Sequence, residues 1–222
     1  MSAITDAQFE ALVRERDDVK PATLAAVPEL ASVAGLREAL EAAAQPRLRV
    51  VISVAQPGLT LVHRVWVGDQ AATYLAALDD TSRQLIVTTP EFLGSGLARL
   101  VGLGPRTGES IGAGDSLDPA DIDRLFGEKA SERDAALART GATVAWMIAV
   151  DAENGEMASC VLDRPDGYVE AVADEAGVRL EARTPTYLWR ILGSLLLQVD
   201  PVDAHDLSSI DPTTLDDTAQ GI

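Results

Sequence analysis

The sequence predicts an α+β protein made of two similar halves, each a helix, a four-stranded antiparallel meander and a closing helix. One observation is an internal echo in which six residues recur 95 positions later. Thr89, Pro90, Phe92, Leu93, Leu97 and Leu100 recur as Thr184, Pro185, Tyr187, Leu188, Leu192 and Leu195. The other is that short runs of alternating apolar residues, joined by hairpin-length turns, precede both copies. We therefore expect two sheets related by a pseudo-twofold axis, each closed by a proline-capped helix.

The composition supports a folded chain that does not bind nucleic acid. Hydrophobic residues make up 47% and charged residues 24% of the 222 residues, which is enough apolar material for a core. Asp and Glu number 35 against 18 Lys and Arg, and the net charge of -17 would repel a phosphate backbone. The acidity itself indicates a solvated surface and names no partner.

The first half opens with short helices in residues 1–30, which Pro21 and Pro28 interrupt. Residues 36–44 are strong helix formers, and Pro46 ends that helix. Turn signals then separate four strands, at 47–55, 59–67, 71–78 and 83–88. Thr89 is the expected N-cap of a helix that reaches about Val101, with Pro90 at its first position.

The second half repeats this order after a glycine-rich stretch at 102–117. A short helix from Asp118-Pro119 to Phe126 and a second helix at 131–140 precede the strands. The four strands are expected at 143–150, 156–162, 168–173 and 178–183, with Asn154-Gly155 as a strong hairpin signal. Thr184-Pro185 then begins an apolar helix that runs to about Gln198.

Four segments follow from this order of elements. Residues 1–101 form the N-terminal helices and the first module, and 102–130 a connector with a short helix. Residues 131–199 form the second module. Residues 200–222 are acidic and poor in large apolar residues, and we expect a solvated or disordered tail.

The residues that enzymes and metal sites need are scarce. The two histidines are His63, inside a strand, and His205, in the tail, and neither neighbours a plausible catalytic triad. One cysteine, Cys160, reads as a buried thiol, and the glycines at 102–114 complete neither phosphate-binding motif. We expect no catalytic residue, no metal and no cofactor, and therefore a module that binds another protein.

The chain shows no sign of membrane insertion. It has no run of about 18 apolar residues, and its N-terminus has neither the basic nor the apolar region of a signal peptide. The lack of a disulfide framework suits a reducing compartment, so we expect a cytoplasmic protein.

The order of elements resembles the EspG family, the cytoplasmic chaperones of type VII (ESX) secretion. The resemblance covers about Val27 to Leu197. It is carried by the stretch from Pro28 to Leu40, by Gln45-Pro46 leading into the strand through Ile52, and by the strand at 178–183 that ends in Thr184-Pro185. The N-terminal helical region is shorter than in the family, and the phenylalanine and tryptophan expected before the third strand of the second half are replaced at residues 163–168. A divergent or shortened member is expected.

The resemblance implies a non-enzymatic chaperone that holds helical-hairpin secretion substrates of the PE/PPE or WXG100 kind. It places protein contacts on the sheet surface, on the hairpin of Val67, Gly68, Asp69 and Gln70, and on the last helix at Tyr187, Trp189 and Ile191. Two alternatives remain open. One is a dimerising adaptor or regulatory module whose last helix packs against its own copy as a homodimer, and the other is a small hydrolase or transferase.

Overall fold

A computed structural model describes residues 3–106, 116–152, 155–175 and 177–195 of the chain. These residues form one antiparallel sheet of ten strands in the order β1-β5-β4-β3-β2-β7-β8-β9-β10-β6. The strands are β1 Ala3–Ile4, β2 Leu48–Gln56, β3 Leu59–Val67, β4 Ala72–Ala77, β5 Arg83–Thr88, β6 Ser116–Leu117, β7 Val144–Ala152, β8 Gly155–Arg164, β9 Gly167–Asp174 and β10 Gly177–Arg183. The helices are α1 Asp6–Arg14, α2 Pro21–Ala25, α3 Leu36–Ala44, α4 Leu93–Leu100, α5 Pro119–Leu125, α6 Ala130–Thr140 and α7 Pro185–Ser194. Short 3₁₀ turns occupy Pro28–Ser32 and Pro90–Phe92.

The expectation of two sheets is wrong, because the two meanders join edge to edge. β2 pairs antiparallel with β7 from Leu48 opposite Ala152 to Ala55 opposite Ala145. Each is the first strand of its meander and would otherwise expose unpaired backbone groups along its whole length. Pairing them satisfies those groups and turns two four-stranded sheets into one. The α+β class is confirmed, whereas the pseudo-twofold relation stays a prediction.

The eight predicted meander strands and the helices around them are present. The strands at 59–67 and 83–88 and the helix at 36–44 have the predicted bounds. The two-residue strands β1 and β6, which lie at the outer edges of the sheet, were not predicted. Asn154, part of the 102–117 stretch and the 200–222 tail lie outside the described residues.

The helices form layers on both faces of the sheet. On one face, which we call the α4/α7 face, Val50, Val65 and Ile148 meet Leu97 and Leu192 in a central core. On the opposite face α1, α2 and α3 cover the strands of the first half, around Leu12, Leu40 and Leu75. On the same side α5 and α6 cover the strands of the second half, around Leu125 and Leu137. The middle of this second face lies between two separate helix groups.

The two echoed helices, α4 and α7, pack directly on each other. A Cβ atom built on Gly94 would lie 3.0 Å from the Cα of Gly193, so the two backbones touch at this point. Because α4 belongs to the first half and α7 to the second, this contact joins the halves a second time, above the β2–β7 pair.

The two copies of Thr-Pro begin their helices differently. The hydroxyl of Thr184 accepts a hydrogen bond from the N–H of Tyr187, 3.1 Å away, as expected of an N-cap. Thr89 makes no such bond, and a 3₁₀ turn over Pro90–Phe92 precedes α4. The predicted N-cap hydrogen bond is therefore confirmed at Thr184. At Thr89 the prediction is wrong, because the threonine side chain makes no cap bond and the α-helix begins only after the 3₁₀ turn.

Candidate functional site

The middle of the sheet carries a row of small apolar side chains on the face opposite α4 and α7. Val51 of β2 lies directly opposite Ala149 of β7, which lies opposite Ala158 of β8. Ala149 and Ala158 are exposed and Val51 is half-buried, although all three sit in central strands. Arg49 and Asp151 form the next row and bridge β2 to β7, with 3.6 Å between nitrogen and oxygen. We call these five residues the central strip.

The central strip is the floor of an open cavity of about 510 Å³. Its width from β2 to β8 spans two interstrand spacings, about 10 Å, which is close to the diameter of an α-helix. On one side lies β3, where Arg64, opposite Val51, is held by Asp6 of α1 at 3.0 Å. Along the strands the floor ends at the buried Ala55 and Ala145, which pack with α6 residues. The strip can therefore hold an elongated apolar segment.

The predicted hairpin residues lie at the open end of this strip. Val67 is buried in the core, opposite Leu48, whereas Asp69 and Gln70 are exposed. Asp69 accepts a hydrogen bond of 2.9 Å from Arg47, two residues before Arg49 of the strip. Gly68 packs on α3, since an added Cβ would lie 3.0 Å from the Cβ of Ala42. The hairpin thus offers polar side chains beside the strip, and Val67 is structural.

The predicted residues of the last helix lie on the other face of the sheet. Tyr187 is 40% exposed and Trp189 49% exposed. Ile191 is half-buried and faces Trp146 and Met157. The Tyr187 ring also receives the guanidinium of Arg183, 4.4 Å from the ring centre. Because α7 and the α3 helix beside the hairpin cover opposite faces, the structure does not bring the two predicted groups into one surface.

A further apolar surface was missed by the sequence reasoning. Phe92 is 60% exposed and Ile86 38% exposed, and both line a cavity beside α4. The echo contains the signal, because Phe92 is the counterpart of Tyr187 at the interval of 95.

Burial shifts the pKa values of two titratable residues inside the fold, His63 and Cys160. The Nδ1 of His63 accepts a hydrogen bond of 3.0 Å from the N–H of Ala77, and burial together with Arg83 lowers the histidine's pKa from 6.5 to about 4. Burial, with a smaller contribution from Glu170, raises the pKa of the Cys160 thiol to about 12. Within the described ranges no cluster of three His, Cys, Asp or Glu side chains is arranged to bind a metal ion. In the same ranges no helix is long and apolar enough to cross a bilayer.

Comparison with known proteins identifies a solved structure with a similar fold. No protein-family model matches the chain, and no curated protein matches it. Among solved structures, the chain is similar to the Mycobacterium tuberculosis type VII secretion system chaperone EspG5, solved in complex with a PE25-PPE41 dimer. The TM-score is 0.54 at 13% identity, over 88% of this chain and 95% of that chain. At this identity the likeness confirms an EspG-like fold.

Proposed function

We propose that this protein is a non-enzymatic, cytoplasmic chaperone that holds a helical segment of a secretion substrate on the central strip. The observation that carries the proposal is the row of exposed Ala149 and Ala158 beside half-buried Val51, in the middle of a ten-stranded sheet. An antiparallel sheet can leave one face to solvent, but apolar side chains exposed side by side on that face are typical of a surface that a partner covers. The EspG-like fold favours a partner of the PE/PPE or WXG100 kind.

The geometry suits a helix better than a strand. Strand addition needs a free sheet edge, whereas the strip lies in the interior of the sheet with its backbone groups paired. Two alanines in one row let a helix approach the sheet closely, and Arg49 and Asp151 pair with each other in the next row. A helix end with small or aliphatic residues would fill the strip, and Asp69 and Gln70 could bond its polar rim.

Charged substitutions in the strip test the proposal. Ala149→Arg and Ala158→Arg place a long cation on exposed positions, so folding should be preserved while an apolar helix is displaced. Ala182→Arg is the matched control, since Ala182 is an exposed alanine in β10, away from the strip. The full chain should co-purify with at least one PE–PPE pair from a co-expressed panel. Each strip variant should weaken calorimetric binding at least tenfold, about 1.4 kcal/mol, with an unchanged melting temperature.

Two results would count against this function. Failure of every PE–PPE and WXG100 pair to bind the folded chain would remove the proposed partner class. Equal affinity of the Ala149→Arg, Ala158→Arg and Ala182→Arg variants would move the binding surface away from the strip.

A second candidate function is the dimerising adaptor, which the exposure of Tyr187 and Trp189 favours. In that case α7 packs against its own copy, and sedimentation gives twice the monomer mass of 23.4 kDa. Trp189→Asp should then restore the monomer, while Ala149→Arg should not. A monomer at all concentrations would exclude this function.

A further inference from the structure

The cavity beside α4 is an apolar groove that the proposed function does not use. It has a volume of about 320 Å³, lies on the α4/α7 face, and is lined by Tyr74, Ile86, Phe92, Gly96, Arg99 and Leu100 among others. We call it the α4–β5 groove. Phe92 and Ile86 are among the most exposed large apolar side chains in the described part of the protein. An aromatic and an aliphatic wall side by side favour an occupant with aliphatic side chains.

The groove also favours an occupant that carries negative charge. Among the described residues that line it, Arg99 is the one charged side chain. This is notable in a chain whose net charge is -17. An occupant that combines aliphatic and acidic residues would complement both the walls and Arg99.

The described chain ends near the start of α4, the helix that forms one wall of this groove. Gly193 of α7 touches Gly94 of α4, where an added Cβ would lie 3.0 Å from the Gly193 Cα. Phe92 precedes Gly94 by two residues, and Leu195, the last described residue, follows Gly193 by two. Leu195 packs in the same core as Leu93. Leu195 therefore lies near the start of α4.

The segment that follows has the required chemistry. Residues 200–222 contain six Asp and no Lys or Arg, with aliphatic Leu207, Ile210 and Leu215 between the acidic residues. Leu207 follows Leu195 by twelve positions, and twelve extended residues span up to about 40 Å. We propose that residues 200–222 bind in cis in the α4–β5 groove, with Leu207 and Ile210 against Phe92 and Ile86, and with neighbouring carboxylates facing Arg99.

Tethering makes weak contacts sufficient. A short flexible connection holds the segment at an effective concentration in the millimolar range, so an intrinsic Kd of hundreds of micromolar still gives a mostly occupied groove. A segment too polar to fold alone can order itself against such a surface. Its occupancy keeps Phe92 and Ile86 from pairing with other molecules.

Competition with a labelled peptide tests the proposal in the full chain. A fluorescent peptide of residues 200–222 is titrated into the wild type and into a Leu207→Asp/Ile210→Asp variant, whose own segment can no longer dock. We expect the variant to bind the peptide about threefold to fivefold more tightly than the wild type, because an effective concentration of about 1 mM no longer competes against a Kd of a few hundred micromolar. Adding Phe92→Asp should abolish binding and adding Arg99→Glu should weaken it at least fivefold. Leu78→Asp, at an exposed leucine in the β4–β5 turn, should leave it unchanged.

Hydrogen exchange in the full-length proteins gives a second reading. Amides of β5 and of residues 92–100 should exchange faster in the Leu207→Asp/Ile210→Asp variant than in the wild type. Absence of peptide binding to the variant, or binding that Phe92→Asp leaves intact, would overturn the proposal. So would sedimentation that shows a wild-type dimer broken by Phe92→Asp, because the occupant would then be a second copy of the chain.

Discussion

Replacement of Gly94 by alanine tests whether the α4–α7 contact holds the two halves together. The added Cβ would lie 3.0 Å from the Cα of Gly193, 3.3 Å from its nitrogen and 3.5 Å from the carbonyl carbon of Leu192. All three are backbone atoms of a helix that is packed on the sheet through Leu188 and Leu192, so no side chain can rotate away. The two helices must separate by a few tenths of an ångström, against the core on which both rest.

The expected magnitude follows from two opposing effects. Overpacking of a well-packed core costs about 1–3 kcal/mol, whereas Gly to Ala inside a helix gains up to about 1 kcal/mol. Gly94 is the second residue of α4, where the helix-propensity gain is small, so the overpacking cost dominates. We expect Gly94→Ala to destabilise the protein by about 1–2 kcal/mol.

Gly193→Ala is the matched control, because it lies on the other side of the same contact. Among the described residues, a Cβ built on Gly193 meets no atom within 4 Å, so that variant should be as stable as the wild type or up to about 1 kcal/mol more stable. Urea unfolding followed by tryptophan fluorescence would measure both, since Trp146 is buried in the same core. With a slope of about 2 kcal/mol per molar urea, the two midpoints should differ by about 1 M. Equal midpoints, or a lower midpoint for Gly193→Ala, would refute the close contact of the helices.

Three further predictions concern buried polar groups. The pKa of His63 is lowered from 6.5 to about 4, so the neutral imidazole stabilises the native state. The free energy of unfolding should be highest above pH 6.5 and should fall by up to about 1.4 kcal/mol per pH unit between pH 6.5 and 4. In His63→Gln, unfolding titrations at several pH values should no longer show this dependence. The Cys160 thiol, with its pKa near 12, should resist iodoacetamide in the native protein and react once urea unfolds it, and a rapid native reaction would contradict its burial. Asp121 accepts hydrogen bonds from Arg139 at 2.5 Å and Arg124 at 2.8 Å. Asp121→Asn should cost about 1–2 kcal/mol in thermal unfolding, less than a fully buried pair because both guanidinium groups are partly exposed.

The local elements of the fold could be predicted from the sequence because their signals are local. Alternation over 59–67 and 83–88 and the helix formers at 36–44 gave those elements their observed bounds. The pairing of β2 with β7 could not be predicted, because it joins residues about 100 positions apart, such as Leu48 and Ala152. The apolar alternation within each strand is the same whichever strand it pairs with. Exposure of Ala149 was hidden for a related reason. An apolar strand residue looks the same in sequence whether a helix covers it or not.

The echo also explains how one architecture came to present two different surfaces. Ile86 and Thr88 of β5 correspond, at the interval of 95, to Glu181 and Arg183 of β10. In the second half Arg183 lies over the Tyr187 ring and binds Glu170 at 2.6 Å, so charged side chains fill the space beside α7. In the first half the same positions are uncharged, and Phe92 stands open beside Ile86. The aromatic residue after Thr-Pro is shared by both copies. What differs is the strand beside it, and that difference leaves an open apolar groove in the first copy.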